Sequence, residues 1–304
     1  MMFNQMKKRF VERACRRAAA GVGTVVAALG VAVAGLAMTA TAQAKEWTKV
    51  RVALTGAYEP WNFTLPNGKL DGFEPELLAD LCARIKIECE MGTQDFNGMI
   101  PALQIGKFDV LMDSLSITPE RQKAIAFSRP YATTPVAFVS ADPNVLPKAP
   151  EGEPTVYLTG EAEHDKPVID MLRERLKGKT IGMQSGVSYH SFVDQHLSDV
   201  VKVRDYKTAA EHTLDLVAGR IDVAFDAVTY WSSALGRPQN KGLGYAGQII
   251  RGPIWGPGEA LGFRKSDDDL RRKFDEAIEA ALADGTLSRL SEKWFKVDIT
   301  PRAE

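Results

Sequence analysis

The chain has 304 residues, 45% of them hydrophobic and 25% charged, with 38 basic against 39 acidic side chains and a formal charge of −1. That length holds one large or two small globular domains. The charge balance offers no basic footprint for nucleic acid, and neither a P-loop nor a dinucleotide fingerprint occurs.

The first residues read as a leader. Lys7, Lys8, Arg9, Arg13, Arg16 and Arg17 form a basic n-region, an Ala/Val/Gly/Leu run follows from Ala18 to Met38, and Ala42-Gln43-Ala44 fits a small-x-small cleavage site. The apolar run is also long enough to span a bilayer as an uncleaved anchor. The cleavage triplet, and the lack of a charged or aromatic flank after it, favour removal. Residues 1–44 are therefore expected to be a signal peptide, and the mature chain to start near Lys45. No cysteine follows the run, which argues against a lipid anchor. The leader carries six basic residues and one acidic one, so the remaining 260 residues hold 32 basic and 38 acidic side chains, a net charge of −6. Cys15 goes with the leader and leaves Cys82 and Cys89. An even pair in an exported chain argues for one disulfide. On one continuous helix their Cα atoms would be ~10 Å apart, too far to bridge, so a helix must end between them. Two buried free thiols are the alternative.

Residues 49–55 alternate and are β-branched, which predicts a first strand. A loop dense in aromatics follows (56–63), then the two-residue turn signal Asn67-Gly68. Leu77, Leu78, Leu81 and Ile85 have helical spacing, and Ile85 to Cys89 alternates as a strand. Phe96 to Ile105 reads as a short amphipathic helix closed by Gly106. Asp109 to Phe127 then runs from a buried strand (Val110 to Met112) through a loop of small hydroxyl residues into a helix. Thr118 is its expected N-cap and Pro119 its first residue. Such a loop offers hydroxyls and free N–H groups to an anion. Arg121, in the first turn, is ill-placed for the helix dipole and well suited to a carboxylate; the plainer reading is a surface arginine.

Between residues 141 and 178, Pro143, Pro147, Pro150 and Pro154 suggest an inserted, exposed connection, followed by a helix at 168–176. A second unit starts with a strand at 179–183, a loop at 184–188 and a helix. Thr208 and Glu211 form a capping box opening a helix at 209–218, closed by Gly219. A buried strand at 221–225 has Asp226 at its C-terminal end. Residues 236–258 are Gly/Pro-rich with few periodic signals, and a last helix spans 268–283. His164, His190, His196 and His212 show no metal-ligand spacing, with His190 and His196 read as surface helix residues. Neither a metal nor a cofactor is expected. Two strand–loop–helix units imply a cleft between strand carboxyl ends, where a small ligand binds.

Several motifs, in order over residues 50–300, carry a resemblance: GAYEPWNF, KLDGFEPELLADLC, the Cys82/Cys89 pair, QDFNGMIPAL, FDVLMDSLSITPERQKAIAFSRPY, AGRIDVAF and DGTLSRLSEKWF. Together they resemble the periplasmic solute-binding proteins of the polar amino-acid class (family 3), the soluble receptors of ABC importers. GAY-PWNF, the inserted segment, EH-LDL-GR and KWFKVD-TP are similar to the octopine/nopaline- and lysine/arginine/ornithine-binding subgroup. The resemblance implies the two-lobed type II periplasmic-binding-protein fold, with two mixed α/β lobes joined by two crossovers. The first lobe would take residues 45–134 and 254–304, the second 135–253. It also implies a periplasmic monomer that binds an amino-acid-like ligand by hinge closure and is read by ABC permease subunits.

Matched position by position, the resemblance has Tyr58 and Phe96 sandwich the ligand's aliphatic stem, and Arg121 pair with its α-carboxylate. Ser116 and the Ser188 N–H complete that anion site, while the Ser114 carbonyl accepts the α-ammonium. Two positions depart from the pattern. Basic-ligand binders carry an acid where this chain has Thr55, and Asp113 stands where relatives have serine. Asp113 is thus either a relocated counter-charge for a cationic side chain or a local cap. The ammonium-binding acid or amide aligns with Ala227, one residue after Asp226. Asp226 replaces it only if the strand end is bulged or shifted; otherwise an α-nitrogen substituted as in an opine is favoured. An enzyme on this fold, such as a cyclohexadienyl dehydratase, is the alternative class, with Asp113 and Asp226 as its only placeable acid/base candidates. A receptor's sensor domain is a third, set aside because no second apolar span or signalling segment is evident.

Overall fold

The computed structural model describes residues 46–301; the expected leader and Cys15 lie outside the described residues. Strand β1 (Lys49–Leu54) leads into a ribbon of β2 (Ala57–Tyr58), β3 (Asn62–Thr64) and β4 (Leu70–Asp71). Next come α1 (Phe73–Ile85), β5 (Glu88–Thr93), α2 (Met99–Gln104), β6 (Val110–Leu111), α3 (Pro119–Ala124) and β7 (Ala126–Ala132). The middle of the chain forms β8 (Val136–Ser140), β9 (Thr155–Tyr157), α4 (Ala162–Leu176), β10 (Thr180–Gln184), α5 (His190–His196) and β11 (Lys202–Tyr206). It continues through α6 (Ala209–Val217), β12 (Val223–Ala227), α7 (Val228–Ala234) and β13 (Gly244–Arg251). The remainder is β14 (Glu259–Phe263), α8 (Asp268–Ala283) and α9 (Thr286–Phe295).

Two main sheets result, ordered β5-β1-β6-β14-β7 and β11-β10-β12-β8-β13-β9. Each has a parallel half made by strand–helix–strand crossovers, and an antiparallel half where the chain passes to or from the other sheet. This is the two-lobed type II arrangement. The chain changes sheet at residues 133–135 and 252–258. One core gathers Val50, Trp61, Phe73 and Tyr131 with Phe263, Phe274, Leu287 and Phe295. Another packs Phe138, Met183, Phe192 and Phe225 under the second sheet.

Local structure departs from the sequence reading in several places, among them the strand expected at 221–225, which runs over Val223–Ala227 and so takes in Asp226. Helix α1 stops at Ile85 because Lys86 turns left-handed (φ 55) as its C-cap; the strand therefore begins at Glu88 rather than Ile85. That turn brings Cys82 and Cys89 to a Cα separation of 6.2 Å, and they form a disulfide. The segment read as one helix over 96–105 opens with a 3₁₀ turn, Phe96–Gly98, before α2 starts at Met99. Helix α4 starts at Ala162 and runs through Pro167. Pro167 and Glu163, whose carbonyl loses its intrahelical bond, are both exposed, so the break lies on the solvent side of the helix, where it costs least. No side chain caps the helix N-terminus at Glu161; Asp165 instead accepts the N–H groups of Thr159 and Gly160, ahead of the helix, at 2.9 and 2.7 Å. Lastly, β13 fills part of the stretch without periodic signal. Its alternation is broken at Gly247 (φ 74), where the register against β8 shifts. Strand β9, inside the apparent exposed connection, pairs in parallel with β13.

Candidate ligand-binding site

The site lies between the carboxyl ends of the two parallel half-sheets. Thr118 caps α3, its Oγ1 accepting the Arg121 N–H at 3.2 Å, with Pro119 at the first helical position. The cap holds the Arg121 side chain against the cleft. Nη1 donates to the Ser116 carbonyl at 2.7 Å, and Nη2 reaches the other lobe to donate to the Gly186 carbonyl at 2.9 Å. The guanidinium lies 5.5 Å from the Phe96 ring centre. Burial lowers its pKa to about 10, because only neutral carbonyls meet the charge directly.

Asp113, at the exit of β6, has one oxygen fully engaged. Oδ1 accepts the Thr55 N–H (2.9 Å), the Thr55 hydroxyl (2.8 Å) and Asn62 Nδ2 (2.7 Å). Behind it, Glu74 accepts the Ser114 N–H and Asn62 Nδ2, both at 2.6 Å, and the Tyr131 hydroxyl. Burial, and for Glu74 the neighbouring Asp113 as well, pushes both carboxyls above the usual range. Ser114 is held left-handed (φ 47) by this network.

Tyr58, Phe96, Asp113, Ser114, Ser116 and Arg121 line one cavity from the first lobe. Ser188, Val187, Gln184, Tyr189 and Ala227 line it from the second, and Ser188 Oγ donates to Ser116 Oγ at 3.0 Å across the gap. Seven of the nine residues singled out from the sequence as ligand-binding therefore meet there. Thr55 does not line the cavity; it sits behind Asp113. Asp226 also lies outside it. As strand alternation requires, Ala227 faces the cavity while Asp226 points into the second lobe. There Oδ1 accepts from Tyr58 Oη (2.8 Å), Tyr189 Oη (2.6 Å) and the Ala227 N–H, and Oδ2 meets Nε2 of the fully buried His212 at 2.9 Å.

Sequence reasoning missed Tyr189, Thr134, Trp255 and above all Glu259, which also line the cavity. Glu259 was legible as an acid opening the apolar run Ala260 to Phe263. It is 6% exposed, and burial raises its carboxyl to about 8.

The family model for bacterial extracellular solute-binding proteins, family 3, matches residues 50–297. The chain belongs to that family. It is 35% identical over 286 residues to the octopine-binding periplasmic protein of Rhizobium meliloti, covering 88% of this chain and 97% of the relative. The L-arginine-binding protein of Pseudomonas aeruginosa is 32% identical over 253 residues, 82% of this chain and 89% of that protein. Among solved structures, an ancestral arginine-binding protein bound to arginine superposes with a TM-score of 0.68 at 29% identity, covering 82% of this chain and 98% of the other. These family 3 relatives are binding proteins, and no helix among the described residues is long and apolar enough to cross a membrane.

Proposed function

We propose that this chain is the periplasmic receptor of an ABC importer for a polar amino acid or opine, and that it captures its ligand by closure of two lobes. The observation that carries this reading is Arg121. A half-buried guanidinium hydrogen-bonded only to carbonyls, with Asp113 acting on it only at longer range, has no carboxylate in direct contact, and leaving such a charge partly desolvated and unpaired is costly. A ligand carboxylate in bidentate contact supplies that anion. Because Nη2 already bonds Gly186, closure and carboxylate binding are coupled through one side chain. The lobes run over 45–134 with 254–304 and over 135–253.

Tyr58 and Phe96 cover the ligand's aliphatic part. Ser116 and the Ser188 N–H complete the carboxylate site, the Ser114 carbonyl accepts from the ligand's nitrogen, and Asp113 faces the distal end with Thr55 as its support. Asp226 serves as an interlobe clasp rather than a ligand contact. The cavity is about 40 Å³, room for a few waters, so an amino acid enters with the lobes parted. The closed form is what the permease reads.

A thermal-shift panel on ligand-stripped mature protein tests this. It contains arginine, lysine, ornithine, histidine, glutamine, glutamate, octopine and nopaline. A true ligand at 100 times its Kd adds about 2.7 kcal/mol of stability. No shift with any of them overturns the receptor reading and returns attention to the enzyme class.

A further inference from the structure

Glu259 opens β14 at the second crossover, beside Ala132 of β7, and forms an isolated antiparallel bridge with Ser116. That bridge is fixed on both sides, by the Ile117 N–H to the Gly258 carbonyl (2.9 Å) and the Ala260 N–H to the Leu115 carbonyl (3.0 Å). Arg121 Nη1 bonds the carbonyl of the same Ser116. A guanidinium and a carboxyl thus flank one serine on one wall of the cavity. Oε2 of Glu259 is buried with no hydrogen-bond partner, and so is Oγ1 of the neighbouring Thr134. The Thr134 hydroxyl and N–H lie against the Glu259 carboxyl yet leave Oε2 without a partner, so one oxygen of this buried acid is still open to a donor. From the second lobe, the Ala227 methyl supplies none.

A carboxylate held by Arg121 beside Ser116 has its α-nitrogen only two bonds from the carboxyl carbon. The acid set beside Ser116 is Glu259, whereas Asp113 is tied to Thr55 and Asn62. We infer that Glu259 holds the ligand's α-nitrogen as a cation, doing from the first lobe what no acid at position 227 can do from the second. The rule for substrates follows from that charge. α-Amino acids and N-alkylated amino acids such as opines keep a protonated nitrogen and bind; N-acyl amino acids, whose nitrogen is a neutral amide, are rejected. The inference rests on the receptor reading above.

The groups facing Glu259 are Glu74 from α1 and Tyr131 from β7, with Arg121 and Asp113 on the same cavity. Burial first, and Glu74 next to it, favour the protonated acid, so docking a cation expels that proton.

Titration calorimetry at pH 7 in two buffers of different ionisation enthalpy reads affinity and proton release together. The probes are L-arginine, L-glutamine, octopine and N-acetyl-L-arginine, on wild type and Glu259→Gln. Wild type is expected to bind at least one of the first three with proton release, and N-acetyl-L-arginine about tenfold more weakly or worse than that ligand. Glu259→Gln is expected to weaken the cationic ligand by about tenfold or more and to abolish its proton release. A variant that binds within about threefold of wild type with the same proton count overturns the inference alone. Should the variant fail to fold, wild type decides: N-acetyl-L-arginine binding as tightly as the cationic ligand overturns the inference. A wild type that binds no probe overturns the receptor reading and takes the inference with it.

Discussion

Tyr58 Oη and Asp226 Oδ1 lie 2.8 Å apart, joining the ribbon after β1 to the end of β12 in the other lobe. The Tyr58 ring also stacks on Tyr230 at 5.6 Å, nearly parallel. This bond exists only when the lobes are together, so it contributes to closure. Tyr58→Phe keeps the ring and removes the bond. The expected cost is about 1.5–3 kcal/mol for a hydrogen bond to a carboxylate, a 10- to 100-fold rise in Kd by calorimetry. The fold itself should stay intact by circular dichroism.

Arg121 divides binding from stability. Arg121→Met removes a charge that has no carboxylate partner, so ligand-free stability in urea should hold or rise. Binding of the best panel ligand should fall by about 100-fold or more, given the strength of a bidentate pair. Arg121→Lys should recover little of it, because an ammonium cannot bridge carboxylate, Ser116 and Gly186 in one plane.

Gly186 sits where the lobes touch. Its φ is 79, and a Cβ there would run into Asn97 Oδ1 of the other lobe. Asn97 Nδ2 already donates to Ser185 Oγ at 2.7 Å. Gly186→Ala should therefore push the exposed Asn97 side chain aside and cost the closed form its bond to Ser185. Calorimetry should show weaker ligand binding, and the ligand-free stability in urea should fall by about 1 kcal/mol from left-handed strain.

Stability should depend on pH through the buried acids. Glu74 and Glu259 both have carboxyls raised by burial. The stability linked to a raised carboxyl is fully present below its unfolded value and is lost as pH climbs through the folded one. For Glu259 that window runs from the ordinary range near 4.5 up to about 8. The ligand-free melting temperature should thus fall between pH 5 and 8.5, and less steeply in Glu259→Gln. A profile rising through that window would contradict the assignment. Asp109, held low by Arg51 and Arg264 despite its burial, acts the other way and only in stronger acid.

Reducing the Cys82–Cys89 disulfide reopens a short loop of sequence separation 7. The chain-entropy estimate for a loop that small is about 2–3 kcal/mol, measurable as a lower urea midpoint for the Cys82→Ser/Cys89→Ser double variant.

Features fixed by neighbours in the chain were legible before the fold was known. The Thr118 cap, the Thr208/Glu211 capping box and the 268–283 helix all depend on residues within a turn of each other. The site lining on the Asp109–Phe127 segment was legible for the same reason. What escaped depends on distant partners. His212 is an unremarkable helix residue until β12 sets Asp226 beside it. Glu259 acquires meaning only because β14 returns next to Ser116, 143 positions earlier. Strand β13 was hidden by glycines whose bulge is needed only against β8.

The two cores also differ in how they are spread along the chain. Phe138, Leu172, Met183, Phe225 and Ile250 all come from one continuous stretch. Val50 and Phe73, by contrast, wait for Phe263, Phe274, Leu290 and Ile299. A chain emerging N-terminus first can complete the second lobe while the first still lacks its last helices. The half that carries Arg121 is then the last to become ordered. Shortening the chain by its final two helices would leave the middle segment able to collapse, and the half with the arginine unable to close its interior.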